Sequence, residues 1–333
     1  MRVLYVLGRV FACLNLITMK EHIAIVTPCF NENCTIVRFL GQLEETLSNL
    51  PYQFTVVVVD DCSTDDTLTL LNQYRFSATN IILEVITLEF NVGHQGAIYQ
   101  GLLYSKELDA NKFIVMDADG EDDPDAILDI ILVDQVDVVH VVRGKRNESL
   151  FFRVAYYFYR LLFRFITSKS MNFGNYCMIN RKVLNATTHT SFIHFAAYLS
   201  KIKAKHAYIT HDRQKRIGGQ SKMNTGSLIS HAFKSLTEYA ESLLLVFLKL
   251  FIVLAVSFSI LILYILYQKL FTDNAILGWA STMSVGLFNT ALIAIGFYVI
   301  GILLLNIAHN RNQSFKRAIY QSTKNNQQQF VRR

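Results

Sequence analysis

The sequence predicts an α/β domain built on a mostly parallel sheet, followed by a two-helix membrane hairpin. Three observations predict it. Runs rich in β-branched residues alternate with helical patterns from residue 20 to about 240. Polar residues follow each predicted strand. Two long stretches near the C-terminus carry no charge.

The strands are read at His22–Thr27, Thr55–Asp60, Ile81–Leu88, Lys112–Asp117 and Val136–Val142. Between them, Asn33–Leu50, Asp65–Tyr74, Gly93–Leu108 and Pro124–Leu132 carry helical patterns. Pro124 suits a first helical turn with Asp123 as its cap. Continuous apolar strands between amphipathic helices mean a sheet covered on both faces. Ligands of such sheets bind at the carboxyl ends of the strands.

Composition fits a membrane-attached chain. The 333 residues are 52% hydrophobic, only 17% charged, carry net charge +6 and have a mean hydropathy of +0.28. Such a chain is neither disordered nor an ordinary soluble globule. The apolar excess sits in Leu250–Tyr267 and Asn274–Ala308, which hold no charged residue. Spans are expected near 243–267 and 281–306, since crossing a bilayer takes about 20 apolar residues. Lys234 and Lys249 precede the uncharged run Leu250–Tyr267 of the first span, and Arg311, Lys316, Arg317, Lys324, Arg332 and Arg333 follow the second. The positive flanks predict that both termini are cytoplasmic. Gly286, Gly296 and Gly301 offer close helix packing, and with it a homo-oligomer.

The expected division is an N-terminal extension over 1–19, a catalytic domain over 20–225 and a juxtamembrane amphipathic helix over 226–242. Two spans over 243–308 and a basic tail over 309–333 follow. Residues 1–18 resemble a signal peptide, but Arg9 interrupts the apolar run and no small-x-small site follows. Five cysteines form no Cys-x-x-Cys pair and predict neither disulfides nor zinc. Phe151–Ile166 places Arg153, Arg160 and Arg164 on one face among aromatic and aliphatic residues, which suits a helix lying in the membrane interface.

The sharpest chemical signal is acidic. Asp117, Asp119 and Glu121 alternate, so an extended backbone presents them on one side. Clustered carboxylates repel unless a cation offsets them, and oxygen-only ligands suit Mg²⁺ or Mn²⁺. No Walker lysine loop and no G-x-G-x-x-G accompanies them. Phosphates must then be held by the metal and by basic residues, with Arg143 and the run Arg213–Lys222 as candidates.

Taken together, Pro28-x-Phe30-Asn31-Glu32, Asp60-Asp61-x-Ser63-x-Asp65, Asn91-x-Gly93 and Asp117-x-Asp119 resemble family 2 glycosyltransferases with a Rossmann-like GT-A fold. Arg213-x-x-Arg216-x-x-Gly219-x-Ser221-Lys222 and the hairpin narrow the resemblance to polyprenyl-phosphate glycosyltransferases. That group includes dolichol-phosphate mannose synthase and the GtrB-type undecaprenyl-phosphate glucosyltransferases. The resemblance spans roughly residues 20–310.

It implies a nucleotide-sugar site at Pro28, Phe30, Glu32, Asp60, Asp61, Gly93, Asp117 and Ala118. It implies a metal at Asp117, Asp119 and Glu121, and catalytic roles for Asp119, Arg143 and Arg216. Lipid phosphate would meet Arg143, Arg164, Ser168, Arg213, Ser221 and Lys222. Two positions depart from the pattern: Asn175 stands where an acidic or hydroxyl residue is frequent, and His94 stands at the basic position of the third motif.

The implied reaction moves a sugar, with UDP-hexoses such as UDP-glucose foremost, onto undecaprenyl or another polyprenyl phosphate. It is metal-dependent and inverts the anomeric carbon in one displacement. The implied partners are the nucleotide-sugar, the lipid phosphate and the lipids of a bacterial inner membrane, with no nucleic acid. Alternatives are a processive or other membrane-bound family 2 enzyme making a polysaccharide precursor, a catalytically inactive lipid-binding subunit, and a nucleotidyltransferase.

Overall fold

The structure is a computed structural model that describes residues 21–143, 157, 160–161, 163–167, 173–190, 192–212, 214, 234–271, 278–312 and 320–323. The chain divides into two compact units. One comprises 1–148, 171–228 and 318–333; the other comprises 149–170 and 229–317.

The first unit holds an eight-stranded sheet of order β7-β5-β6-β4-β1-β2-β3-β8. The strands are β1 His22–Cys29, β2 Gln53–Asp60, β3 Ile81–Leu88 and β4 Lys112–Val115. They continue with β5 Val138–Arg143, β6 Phe173–Asn180, β7 His206–His211 and β8 Tyr320–Thr323. Pairings β1–β2, β2–β3, β1–β4 and β5–β7 are parallel. Strand β6 runs antiparallel to both β4 and β5, and β8 runs antiparallel to β3. The carboxyl ends of β1, β2, β3, β4, β5 and β7 therefore lie along one edge, where β6 begins.

Period-two alternation sorts the strand side chains into two cores. On one face, Ile23, Ile25, Val56 and Val58 pack under α1 Ile36–Leu47, α2 Thr67–Gln73 and α4 Ala126–Ile131. On the other, Ala24, Val26, Val57 and Val59 pack under α3 His94–Ser105, α5 Arg181–Thr190 and α6 Phe195–Lys201. Helix α3 lies so close to the sheet that a Cβ on Gly101 would stand 2.7 Å from Val59 Cγ2 and collide with Val26.

The predicted strands match the observed ones, with β3 identical at both ends. The helices are shorter than their patterns. At α4 the cap position falls to Asp125, whose side chain makes no capping bond, rather than to Asp123. Strands β6, β7 and β8 and helices α5 and α6 had no counterpart among the predicted elements.

The second unit contains α7 Ala240–Phe271 and α8 Trp279–Asn312. Within them, Ala240–Gln268 and Ser281–Leu305 are long and apolar enough to cross a membrane. Phe247 packs on Phe297 and Phe258 on Phe288 between the two helices. Of the three glycines expected to bring helices together, Gly301 does so, against Leu244, while Gly286 and Gly296 face open space. In the predicted interfacial stretch, Arg160 and Arg164 are helical and exposed, and Phe163 is buried against Tyr239.

Candidate active site

The first two motifs form one locked pair of loops at the ends of β1 and β2. Asn31 and Cys62 both sit at positive φ, 53° and 59°, a region asparagine tolerates better than most residues. The turn lets Asn31 N–H donate to Ser63 Oγ at 2.9 Å, while Thr64 N–H donates back to Asn31 Oδ1 at 2.8 Å. Glu32 N–H reaches Thr67 Oγ1 at 2.8 Å, and Asp65 Oδ1 accepts from Thr67 N–H at 3.0 Å. The serine and last aspartate of Asp60-Asp61-x-Ser63-x-Asp65 thus brace the loop that carries Glu32.

That bracing leaves the sequence-predicted nucleotide residues in order along the edge. Pro28 is buried in β1, and Phe30, at the strand's end, is 38% exposed. Asp60 is buried; its Oδ2 accepts from Ser63 N–H at 3.3 Å, while its buried Oδ1 has no hydrogen-bond partner. Burial raises the Asp60 carboxyl above the ordinary range, against the bond from Ser63. Burial raises Asp61 too. Gly93 has φ 77° and leads into α3.

The acidic loop leaves β4 toward the same edge. Asp117 N–H donates to Asp122 Oδ2 at 3.0 Å, and Glu121 N–H donates to Asp119 Oδ1 at 3.0 Å, so the loop is turned by its own carboxylates. Ala118 is buried. Asp117 Oδ1 lies 3.3 Å from His94 Nε2, an ion-pair distance whose alignment makes no hydrogen bond and leaves the oxygen open. Asn175, at the start of β6, sets its amide nitrogen 3.0 Å from the same ring nitrogen.

Among the described residues no group of three or more His, Cys, Asp or Glu side chains is assembled to hold a metal. The expected triad of Asp117, Asp119 and Glu121 is thus not preformed. Asp117 Oδ1, a buried oxygen without a hydrogen-bond partner in the loop that also carries Asp119 and Glu121, does fit a hard cation that takes its remaining ligands from water and substrate phosphate.

Asp123, Asp129 and His211, none marked as functional from the sequence, also converge here, together with Gln214 of the basic run. His211, ending β7, places Nδ1 3.2 Å from Asp123 Oδ2 and Nε2 3.5 Å from Asp129 Oδ2. Gln214 donates from Nε2 to Asp123 Oδ1 at 2.9 Å and from its backbone N–H to Glu121 O at 3.1 Å. A cleft lined by Glu121, Asp122, Asp123, Val141, Tyr176, His211 and Asp212 lies beside them. Reading 206–211 as a strand would have found His211, by the rule that located the other loops.

Arg143 ends β5 at this edge, with its side chain outside the described atoms. Ser168, Arg213, Arg216, Ser221 and Lys222 lie outside the described residues. Arg164 belongs to the second unit.

Comparison with known proteins agrees with this architecture. Residues 24–200, more than half the chain, match Glycosyl transferase family 2. An uncharacterized glycosyltransferase of Bacillus subtilis, YkcC, is 27% identical over 294 residues, covering 85% of this chain and 89% of the relative. The undecaprenyl-phosphate 4-deoxy-4-formamido-L-arabinose transferase of Yersinia enterocolitica is 26% identical over 296 residues, covering 86% and 87%. Mannosyl-3-phosphoglycerate synthase from Rubrobacter xylanophilus shares the fold at a TM-score of 0.51 and 16% identity, over 67% of this chain and 74% of that one. With motif loops, sheet order and family match in agreement, the chain belongs to glycosyl transferase family 2 and is a glycosyltransferase of GT-A fold.

Proposed function

We propose that the enzyme transfers a hexose from a UDP-sugar to polyprenyl phosphate at the membrane surface, by a single inverting displacement. The observation that carries this reading is the union, in one chain, of a family 2 sheet edge with two membrane-length helices. The relative whose name specifies undecaprenyl phosphate aligns over 86% of the chain, which supports the same acceptor class here.

The unpartnered Oδ1 of Asp60 lacks the donor that an N–H or O–H of the nucleoside would supply, and the partly exposed face of Phe30 suits its base. Asp117 and Asp119 would hold Mg²⁺ or Mn²⁺ with the donor diphosphate, where such an ion offsets the charge of the departing group. The acceptor is a phosphate monoester with nearly two negative charges at neutral pH. It is already a nucleophile, so no side chain need remove a proton. Arg143 and Arg216 are assigned to its charge and to the developing diphosphate, Arg213, Ser221 and Lys222 to the same basic run, and Arg164 and Ser168 to the lipid headgroup.

Strand β8 supports the sidedness. The chain enters the first long apolar helix at Ala240 and pairs with β3 of the sheet by Tyr320. Two crossings return it to the side it left. The basic flanks make that side cytoplasmic in this reading.

The test is transfer from a panel of radiolabelled nucleotide sugars to a short polyprenyl phosphate, with and without EDTA. Labelled lipid monophosphate sugar formed from a UDP-hexose supports the proposal. Transfer only to a growing polysaccharide, or release of pyrophosphate, overturns it.

A further inference from the structure

Three buried oxygens at the carboxyl edge have no hydrogen-bond partner among the described residues: Asp60 Oδ1, Asp117 Oδ1 and Asn175 Oδ1. They belong to the end of β2, the loop after β4 and the start of β6. Those strands stand in the order β6-β4-β1-β2, so Asn175, Asp117 and Asp60 follow one another along the edge. In the reading above, Asp60 meets the nucleoside and Asp117 the diphosphate. The hexose is joined to the outer phosphate and falls beyond Asp117, on the side away from Asp60. Asn175 stands on that side.

The Asn175 amide is held at one end only. Its nitrogen lies 3.0 Å from His94 Nε2, and the same ring nitrogen lies 3.3 Å from Asp117 Oδ1. One imidazole nitrogen thus joins Asn175 to the acid assigned to the diphosphate. The other end of the amide is buried and unmatched. Exchanging its oxygen and nitrogen leaves the same unmatched end, and a hydroxyl, which both donates and accepts, satisfies either. A buried polar atom without a partner is costly, so a substrate hydroxyl that supplies one is read strongly.

We propose that Asn175 is a specificity-determining residue for the donor: the unmatched end of its amide takes a ring hydroxyl of the transferred hexose, while His94 holds the amide beside Asp117. This rests on the UDP-hexose reading above. It selects a sugar that carries a hydroxyl at that position over one that is deoxygenated there. The rest of the donor site is braced by other bonds, Ser63 N–H to Asp60 and Asp117 N–H to Asp122.

The test uses the full-length enzyme in lipid nanodiscs with a polyprenyl phosphate. The donors are the UDP-hexose that the wild type transfers, UDP-glucose first, and its singly deoxygenated analogues. The wild type should use one analogue about tenfold less well than the parent, by kcat/KM. Asn175→Ala should lose about tenfold on the parent and use that analogue equally well, since variant and analogue remove the same bond. Calorimetric affinity for UDP alone should stay within about twofold. A merely structural role would weaken every donor alike. Asn175→Ser shortens the reach of the side chain and carries the same comparison should Asn175→Ala fail to fold. A wild type indifferent to every analogue, a variant that keeps the wild-type preference, or a loss of UDP affinity that matches the loss of transfer overturns the proposal while lipid-linked hexose is still made. A wild type that transfers from no UDP-hexose overturns the donor reading and this proposal together.

Discussion

The carboxylate of Asp61 accepts the backbone N–H of Val92 at 2.7 Å, and the Asp61 carbonyl accepts from Asn91 Nδ2 at 3.1 Å. The second acid of the Asp-Asp pair thus holds the third motif against the end of β2. Its neighbour Asp60 keeps one oxygen open. The two adjacent buried carboxylates are thus bonded differently.

Asp61→Ala should therefore destabilise the sheet domain by about 1–3 kcal/mol, because Val92 N–H loses its acceptor. Asp60→Ala should weaken UDP binding more than it lowers the melting temperature. Thermal unfolding and calorimetry on the same two variants separate these roles, and a reversed pattern would exchange them.

Asp119→Asn should abolish transfer while leaving the melting temperature near that of the wild type. The lost charge weakens any hard-cation site, whereas an amide oxygen can still accept the Glu121 N–H. EDTA should silence the wild type, and Mn²⁺ should restore it. Full activity in the variant or in EDTA would remove the metal from the mechanism.

Arg164→Ala should raise the KM for a long lipid phosphate and leave nucleotide affinity unchanged. Its helix exposes Arg160 and Arg164 together with Leu161 and Phe165, the amphipathic mixture of an interfacial segment. Equal loss of donor affinity would move Arg164 to the donor side.

His140 gives the domain an acid-sensitive element. It is fully buried, stacks on Phe173 at 3.7 Å and shares a 2.9 Å bond with His206. Burial, then the neighbouring His206, pushes its pKa down to about 3. A depressed histidine stabilises the fold fully above the unfolded value of 6.5 and loses that contribution as pH falls toward 3. Stability should fall across that window by up to about 1.4 kcal/mol per pH unit. His140→Phe should flatten the decline; an unchanged slope would assign the sensitivity elsewhere.

Gly101→Ala should cost about 1–3 kcal/mol by overpacking α3 against Val26 and Val59. Gly41→Ala, where the added methyl meets nothing within 4 Å, is its control. Equal melting temperatures for the two would mean that α3 can shift away from the sheet.

The first four strands were legible because each is rich in β-branched and apolar residues and is followed by a polar break at its carboxyl end, as in Phe54–Asp60. The residues at those breaks, Asn31, Asp60, Gly93 and Asp117, fell on one edge as expected. Strand β7 was not legible. His206, Tyr208 and Thr210 alternate with Ala207 and Ile209 along it, and lysines crowd its start. It gains its place only by pairing with β5. Without that pairing His211 carries no signal, and Asp123 resembles an ordinary helix-start acid. The Asp117–His94–Asn175 contact was equally hidden, since β6 approaches the edge from the opposite direction and brings Asn175 there across 81 residues of chain.

Strand β8 covers Val85–Leu88 of β3, a strand that would otherwise end the sheet. Uncovered strand edges template association with other chains. Cutting the protein ahead of its two long apolar helices therefore removes the cover together with those helices. Such a fragment carries a bare edge rich in isoleucine, valine and leucine, and its losses in solution would reflect self-association as much as loss of the helices. Supplying residues 318–333 as a separate peptide would restore the missing border strand.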